Sequence, residues 1–347
     1  MRVHRSFALA ALFLPLGMAT AGNAEVFRVG PTRPYTNLGQ VAPLLDPGDL
    51  VEVDGNATYP AVTFTRSGAP GNPIVVRGLR VNGNRPLISG GTNTVQFELS
   101  NHMVFEGFEV TGGSFRCIFH HAHDITVRDT LVRDCAAHGI LGADNDSGSL
   151  LLEFVEVRGC GNGTSQHAIY MATDELAHPG SVFRMQHCYV HDQNGGNAIK
   201  SRAERNEIYY NWIEGTQYHL LELIGPDPAG GVPPGTARED SDVVGNVLVH
   251  KAYGAFDGSF YFVRIGGDGT GESNGRYRFL NNTLVRLSVG MGSAAFRCFD
   301  GLESIEMHSN VFYTGPAGAP RILRDLDATW TSGSQQISGQ NNWVESG

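Results

Sequence analysis

Positive charge is scarce in this chain of 347 residues, where 25 Lys and Arg stand against 35 Asp and Glu for a formal charge of −10. Nucleic-acid binding draws on basic surface, so nucleic acid is not the expected partner. Long apolar runs are missing too: the run from Phe7 to Leu16 falls short of the ~20 residues that a spanning helix needs. No Pro/Ser-rich linker divides the chain, which favours one large domain over two. Helical periodicity is rare, while Gly accounts for 45 residues, well above its ordinary share of about 7%. Short strands joined by many turns are expected. Cysteine is limited to five residues, an odd count that leaves one thiol over if the others pair.

The first 24 residues have the form of an export signal. A basic start (Arg2, His4, Arg5) precedes the apolar run, and small residues at Ala19, Ala21 and Ala24 suit signal-peptidase cleavage. The expectation is cleavage near Ala21 or Ala24, a folded domain over 25–347, and a periplasmic or secreted protein. No cysteine follows the apolar run to carry a lipid. A monomer without membrane association is expected.

A strand signal recurs through most of the remaining chain, from 104–110 through 126–132, 151–157, 184–190, 207–213, 242–248 and 278–284 to 306–312. It aligns Phe108, Thr130, Val155, Cys188, Asn211, Asn246, Asn282 and Asn310, at spacings from 22 to 36 residues. Variable spacing is what a solenoid tolerates, because each turn can take a loop insertion while stacked coils share one core. The four asparagines are assigned to scaffold: in a stack each amide can bond the next and satisfy buried turn backbone. An open solenoid end needs a cap. Leu38, Val41, Leu44 and Leu45 predict a capping helix over Thr36–Leu45, ahead of a first strand Leu50–Val53. The polar, glycine-rich stretch from Ala317 is expected to close the other end as irregular coil. Cys135 and Cys160 fall at equivalent positions, which predicts a disulfide between them, with two buried thiols as the other reading.

Four tetrads carry the chemistry: His167-Ala-Ile-Tyr170, Asn197-Ala-Ile-Lys200, His219-Leu-Leu-Glu222 and Tyr261-Phe-Val-Arg264. Strand alternation turns Ile169, Ile199, Leu221 and Val263 inward and the fourth residues outward. Stacked about 4.8 Å apart, Tyr170, Lys200, Glu222 and Arg264 would form one polar column facing solvent.

Several segments resemble the right-handed parallel β-helix of pectate-lyase-like proteins. The stretch 35–53 resembles its usual first coil, and 67–78 resembles a segment common in β-helical alginate, chondroitin and pectate lyases. Asn-Ala-Ile-Lys-Ser-Arg-Ala (197–203), followed by Asn211, resembles exported bacterial β-helix proteins of unassigned activity. The resemblance implies an all-β, single-domain right-handed parallel β-helix over nearly all of 25–315. It also implies a polysaccharide lyase, or a related uronate epimerase, acting on an acidic polymer. In such lyases a lysine is the base, which carries over to Lys200. Their arginine sits one coil later, where this chain has Glu222.

Abstraction of the C5 proton of a uronate needs a base, a proton donor at O4 and positive charge on the carboxylate. Lys200 is the candidate base, with Tyr170 and His167 as alternative proton carriers. Arg264 or Arg202 is the candidate carboxylate clamp, and Glu222 completes the catalytic set. Arg202 and Arg264 should lower the Lys200 pKa and Glu222 should raise it. His219, Tyr261, Asn197 and His138 join Arg202 as substrate-binding candidates. His138, His167 and His219 recur at one column, for which a stacked structural role is the competing reading. His120, His121 and His123 lack zinc-like spacing, and the 143–148 loop reads as a turn more than a calcium site. No cofactor is required by this chemistry, and Ca2+ stays an option. A glycoside hydrolase using Glu222 with Asp192 or Asp174 is the second reading. A non-catalytic carbohydrate-binding solenoid is the third.

Overall fold

The computed structural model describes residues 24–225, 239–251, 262–268, 273–287, 294–299, 302–313, 321–325 and 336–345. The expected export signal and Tyr261 lie outside the described residues. Among the described residues, strands fall into three parallel sheets of twelve, ten and eleven strands. One coil shows the plan. Leu150–Glu153 lies in the first sheet, Glu156–Arg158 in the second and Ile169–Ala172 in the third, and Val182–Gln186 then returns to the first beside its predecessor. This is a parallel β-helix, as the repeats and the resemblance both imply.

The alternating pattern is what closes it. In the first sheet Val127, Leu152, Met185, Ile208, Val243 and Phe279 stack in register, and all are fully buried. In the third, Ile169, Ile199, Leu221 and Val263 do the same. Each inward aliphatic side chain contributes roughly 1.5–3 kcal/mol, and each is covered only because coils lie above and below it.

Between the first and second sheets the chain turns through left-handed backbone, at residues including Asp129 (φ 44°), Tyr210 (φ 56°), Gly245 (φ 70°) and Asn281 (φ 57°). The residue that follows points inward, and there the asparagines form the predicted ladder. The Oδ1 of Asn246 accepts both the backbone N–H and the side-chain amide of Asn211, each at 2.9 Å. Asn282 accepts the same pair from Asn246 at 2.9 and 3.0 Å, and Asn310 serves Asn282 likewise. Each of these amides also donates to a main-chain carbonyl, as Asn246 does to Ile208 at 2.8 Å. Asn342 adds a fifth rung.

Three expectations are corrected. The cap is two separate 3-10 turns, Leu38–Gln40 and Ala42–Leu44, and it sits between strands Val26–Val29 and Leu50–Asp54. Pro43 lacks the N–H that a continuous helix would donate back toward Gly39. Leu38, Val41 and Leu45 are nonetheless buried against the first coils, with Leu44 turned out. The C-terminal stretch adds strands Arg321–Asp325, Gln336–Gln340 and Trp343–Val344 to the three sheets. The disulfide joins Cys117 to Cys135, with Cα atoms 5.7 Å apart, and Cys160, Cys188 and Cys298 are buried thiols. Equivalent residues on stacked coils have parallel Cβ vectors about 4.8 Å apart, wider than the ~3.8 Å mean Cβ separation of a disulfide. Cys117, on a third-sheet strand, approaches Cys135 from a different direction within the coil.

Two measurements check this architecture. Asn246→Ala strips two donors of Asn211 of their acceptor and should lower stability by about 2–4 kcal/mol in urea unfolding; an unchanged midpoint would remove the ladder from the stabilising interactions. Alkylation of the unfolded, unreduced chain should label Cys160, Cys188 and Cys298 and spare Cys117 and Cys135 in peptide mass spectra. Labelled Cys135 would overturn the pairing.

Candidate active site

The tetrads stack in the register that the sequence suggests. Across the third sheet Tyr170 pairs with Lys200, Lys200 with Glu222, and Glu222 with Arg264. Arg297 continues the column one coil further.

The column is far less open than expected. Glu222 is 2% exposed and forms a floor, while the Lys200 and Arg264 side chains keep only 13% and 12% of their surface exposed and Tyr170 is partly buried. Glu222 Oε2 accepts from the side-chain amide of Asn197 and lies 3.9 Å from Lys200 Nζ, while Oε1 pairs with the Arg264 guanidinium. Asp268, which sequence reasoning missed, gathers three cations: Arg202 in direct contact, Lys200 at 3.6 Å and Arg264 at 3.7 Å. Its only signal is an acid four residues beyond Arg264. That spacing does not say that the chain folds back over the two preceding coils. Three cations against two carboxylates leave one net positive charge in a largely dehydrated cluster.

Arg202 is 3% exposed, so the structure gives it a supporting place and not a substrate-facing one. Its Nε donates to the Tyr170 hydroxyl at 3.1 Å and its Nη1 to the Gly225 carbonyl at 2.8 Å. The Tyr170 hydroxyl oxygen is thereby an acceptor toward Arg202. Lys200 Nζ stands 5.2 Å from the centre of the Tyr170 ring. It is one of two lysines in the chain, the other being Lys251. Burial lowers the Lys200 pKa, which Glu222 and Asp268 oppose and Arg202 and Arg264 reinforce. Desolvation thus settles the opposing charge effects read from the sequence.

The histidine column is a second ladder, at the corner leading into the third sheet. The backbone N–H of His167 donates to His138 Nδ1 at 3.1 Å, and that of Asn197 to His167 Nδ1 at 3.0 Å. The N–H of His219 donates to Asn197 Oδ1 at 2.9 Å. All four side chains are buried, so the expected direct substrate contacts of His138, Asn197 and His219 are replaced by this stacking role. An Nδ1 that accepts a main-chain N–H carries no proton, so His138 and His167 hold theirs on Nε2. Burial, aided by the charge of Lys200, pushes the His167 pKa well below the ordinary imidazole value. With its Nδ1 lone pair engaged, His167 is placed to donate and not to accept, which removes it as a base.

Two further acids border the cluster. Glu175 and the buried Glu239 lie against each other, and burial raises the pKa of both, with mutual repulsion adding to the rise at Glu239. Of the hydrolase pairings, Asp174 caps a turn through the N–H groups of Leu176 and Ala177, and Asp192 pairs with His191 on the second sheet. His120 Nε2 meets the Gly148 carbonyl, His121 pairs with Glu98, and His123 Nδ1 accepts the Ser149 N–H, so the three imidazoles do not converge. Among the described residues no group of three His, Cys, Asp or Glu side chains is arranged to hold a metal ion.

No family model and no curated protein matches this sequence. Solved structures do match it. An alginate lyase from Paenibacillus sp. is similar over 92% of this chain and 95% of its own, with 15% identity and a TM-score of 0.55. A lacto-N-biosidase from Eubacterium ramulus is similar over 93% of this chain and 68% of its own, at 11% identity and a TM-score of 0.50. A pectate lyase also aligns, over 93% of this chain and 79% of its own, at 11% identity and a TM-score of 0.45. The likeness is one of fold. At such identities it says nothing of which side chains act.

Stability should depend on pH through the buried imidazoles. Burial holds His120, His138 and His250 at about 4, whereas the unfolded chain protonates them near 6.5. Between those values the unfolded state binds more protons. Stability is therefore full above pH 6.5 and declines as pH falls toward 4, by up to about 1.4 kcal/mol per pH unit for each imidazole. Urea midpoints that do not drop between pH 7 and pH 5 would contradict neutral burial.

Proposed function

We propose that this protein is an exported polysaccharide lyase, or a uronate epimerase sharing its first step, which acts on an acidic polymer along the third sheet. The observation that carries the reading is the half-buried column itself. A lysine with a lowered pKa lies beside a tyrosine whose hydroxyl oxygen already accepts from Arg202, and a guanidinium lies two coils away at the surface. The alginate-lyase likeness in fold supports it without assigning a role to any residue.

In this reading a sugar carboxylate sits against Arg264, with Arg297 extending positive charge along the polymer. Neutral Lys200 takes the C5 proton. The electron pair of that C–H bond forms the C4–C5 double bond as the C4–O4 bond breaks, and the departing O4 takes a proton from Tyr170. The Arg202 guanidinium stabilises the phenolate that results. Glu222, Asp268 and Asn197 hold the cations in place, so the cluster carries one net positive charge when Lys200 is protonated and none when it is neutral. An epimerase would return a proton to the opposite face of C5 without breaking C4–O4.

A panel of alginate, pectate, chondroitin, heparan and bacterial exopolysaccharides, with and without calcium, read for unsaturated uronates and for exchange of the C5 proton, tests the proposal. Lys200→Ala and Tyr170→Phe should each reduce turnover by about 10²–10⁴-fold, the usual worth of a positioned acid or base. Turnover surviving both changes would remove the assignment. Glu222 raises the Lys200 pKa, so Glu222→Gln should move the rising limb of kcat/KM to lower pH, since neutral lysine then appears earlier. A limb that stays put would mean another group is the base.

A further inference from the structure

The second sheet carries a group of exposed aromatic rings that the column on the third sheet does not use. Tyr189 and Trp212 pair in register on neighbouring strands, Tyr189–His191 and Trp212–Glu214, and are 38% and 46% exposed. Their polar ends are tied down by one carboxylate. Glu214, 8% exposed, accepts from the Tyr189 hydroxyl at 3.1 Å and from the Trp212 indole N–H, and pairs with Lys251 at 2.9 Å. The Tyr189 ring stacks on His191 with centroids 3.9 Å apart, which covers one of its faces and leaves the ring 38% exposed. His191 is itself held between Asp192 and Glu156.

At the adjoining corner Phe154, His187 and Tyr210 stack on successive coils, 5.2 and 5.7 Å apart. All three are exposed and all three adopt left-handed backbone, with φ of 53°, 54° and 56°. Other coils place Asp129, Gly245 and Asn281 at this position, residue types that, like His187, accept the conformation readily. The bulky Phe154 and Tyr210 there are strained outliers, and such strain points to use.

We infer that this surface binds pyranose rings of a polysaccharide, as a holding site on a different sheet from the candidate column. Tyr189 and Trp212, whose polar atoms Glu214 holds, offer apolar ring surface, and the rim of Glu156, Arg158, Asp192 and Lys251 offers charged hydrogen-bonding groups at their edges. That pairing of flat apolar surface and polar edge matches a sugar, which has a C–H face and a hydroxyl rim. The two strands are three residues long, a strip about 10 Å wide. A stable protein partner covers about 800 Å² per side, more than such a strip supplies. The choice of a glycan also leans on the reading of the third sheet, so the test separates binding from turnover.

Native electrophoresis through gels containing alginate, polygalacturonate or hydroxyethyl cellulose reads binding without chemistry. The protein should be retarded in at least one gel, and Tyr189→Ala/Trp212→Ala should weaken retardation roughly tenfold while turnover of a short oligosaccharide is unchanged. Tyr210→Asn guards against misfolding. It relieves the left-handed strain, so its urea midpoint should hold or rise while retardation weakens. Equal retardation of all variants, no retardation of the parent in any gel, or a dimer that the double substitution dissociates would each overturn the inference. A chain that is inert on every polymer yet retarded would sink the lyase reading alone.

Discussion

Parallel in-register stacking is the constraint on which this molecule rests. Coils that repeat at strand spacing place every residue on its equivalent, so whatever occurs once in a coil becomes a line along the protein. Apolar residues become a continuous core, asparagines become a ladder, and outward polar residues become a column. The cost is that every corner must return the backbone to the same register, whatever the length of the loop it carries. The left-handed residue and the asparagine after it do this at one corner. His138, His167, Asn197 and His219 do it at another, each taking or passing on a main-chain N–H of the next coil.

The same constraint explains the electrostatics of the third sheet. Side chains about 4.8 Å apart in a column cannot all be solvated, and like charges in succession would repel. Glu222 separates Lys200 from Arg264, leaving Arg264 and Arg297 as the like pair in register, and Asp268 gathers three cations at once. The outcome is a cluster dry enough to depress a lysine, and positive by one charge while that lysine keeps its proton. Because the cations are held by buried acids and not by solvent, their positions are set before any anion arrives, the condition under which fixed charge assists a reaction.

Reading the residues recovered the fold because a repeat that recurs eight times outweighs the ambiguity of any single strand. Lys200, Tyr170, Glu222 and Arg264 were placed correctly relative to one another for the same reason, since the tetrads share one alternation. What the reading could not see was depth. Glu222 was expected at the surface because it follows an inward residue, yet neighbouring long side chains close over it. Arg202 and Asp268 illustrate the complementary limit. Their contacts span 66 residues and depend on how a loop closes over two coils, which no local pattern records.

The amino-acid order by itself determined the solenoid, its strand phase, the asparagine ladder and the line of reactive side chains, because each follows from periodicity along the chain. The tertiary structure alone decided which cysteine pairs with Cys135, which imidazole nitrogens hold protons, and how far water is excluded from Lys200. Those depend on the directions of bonds and on the closeness of groups distant in sequence, and a linear pattern carries neither.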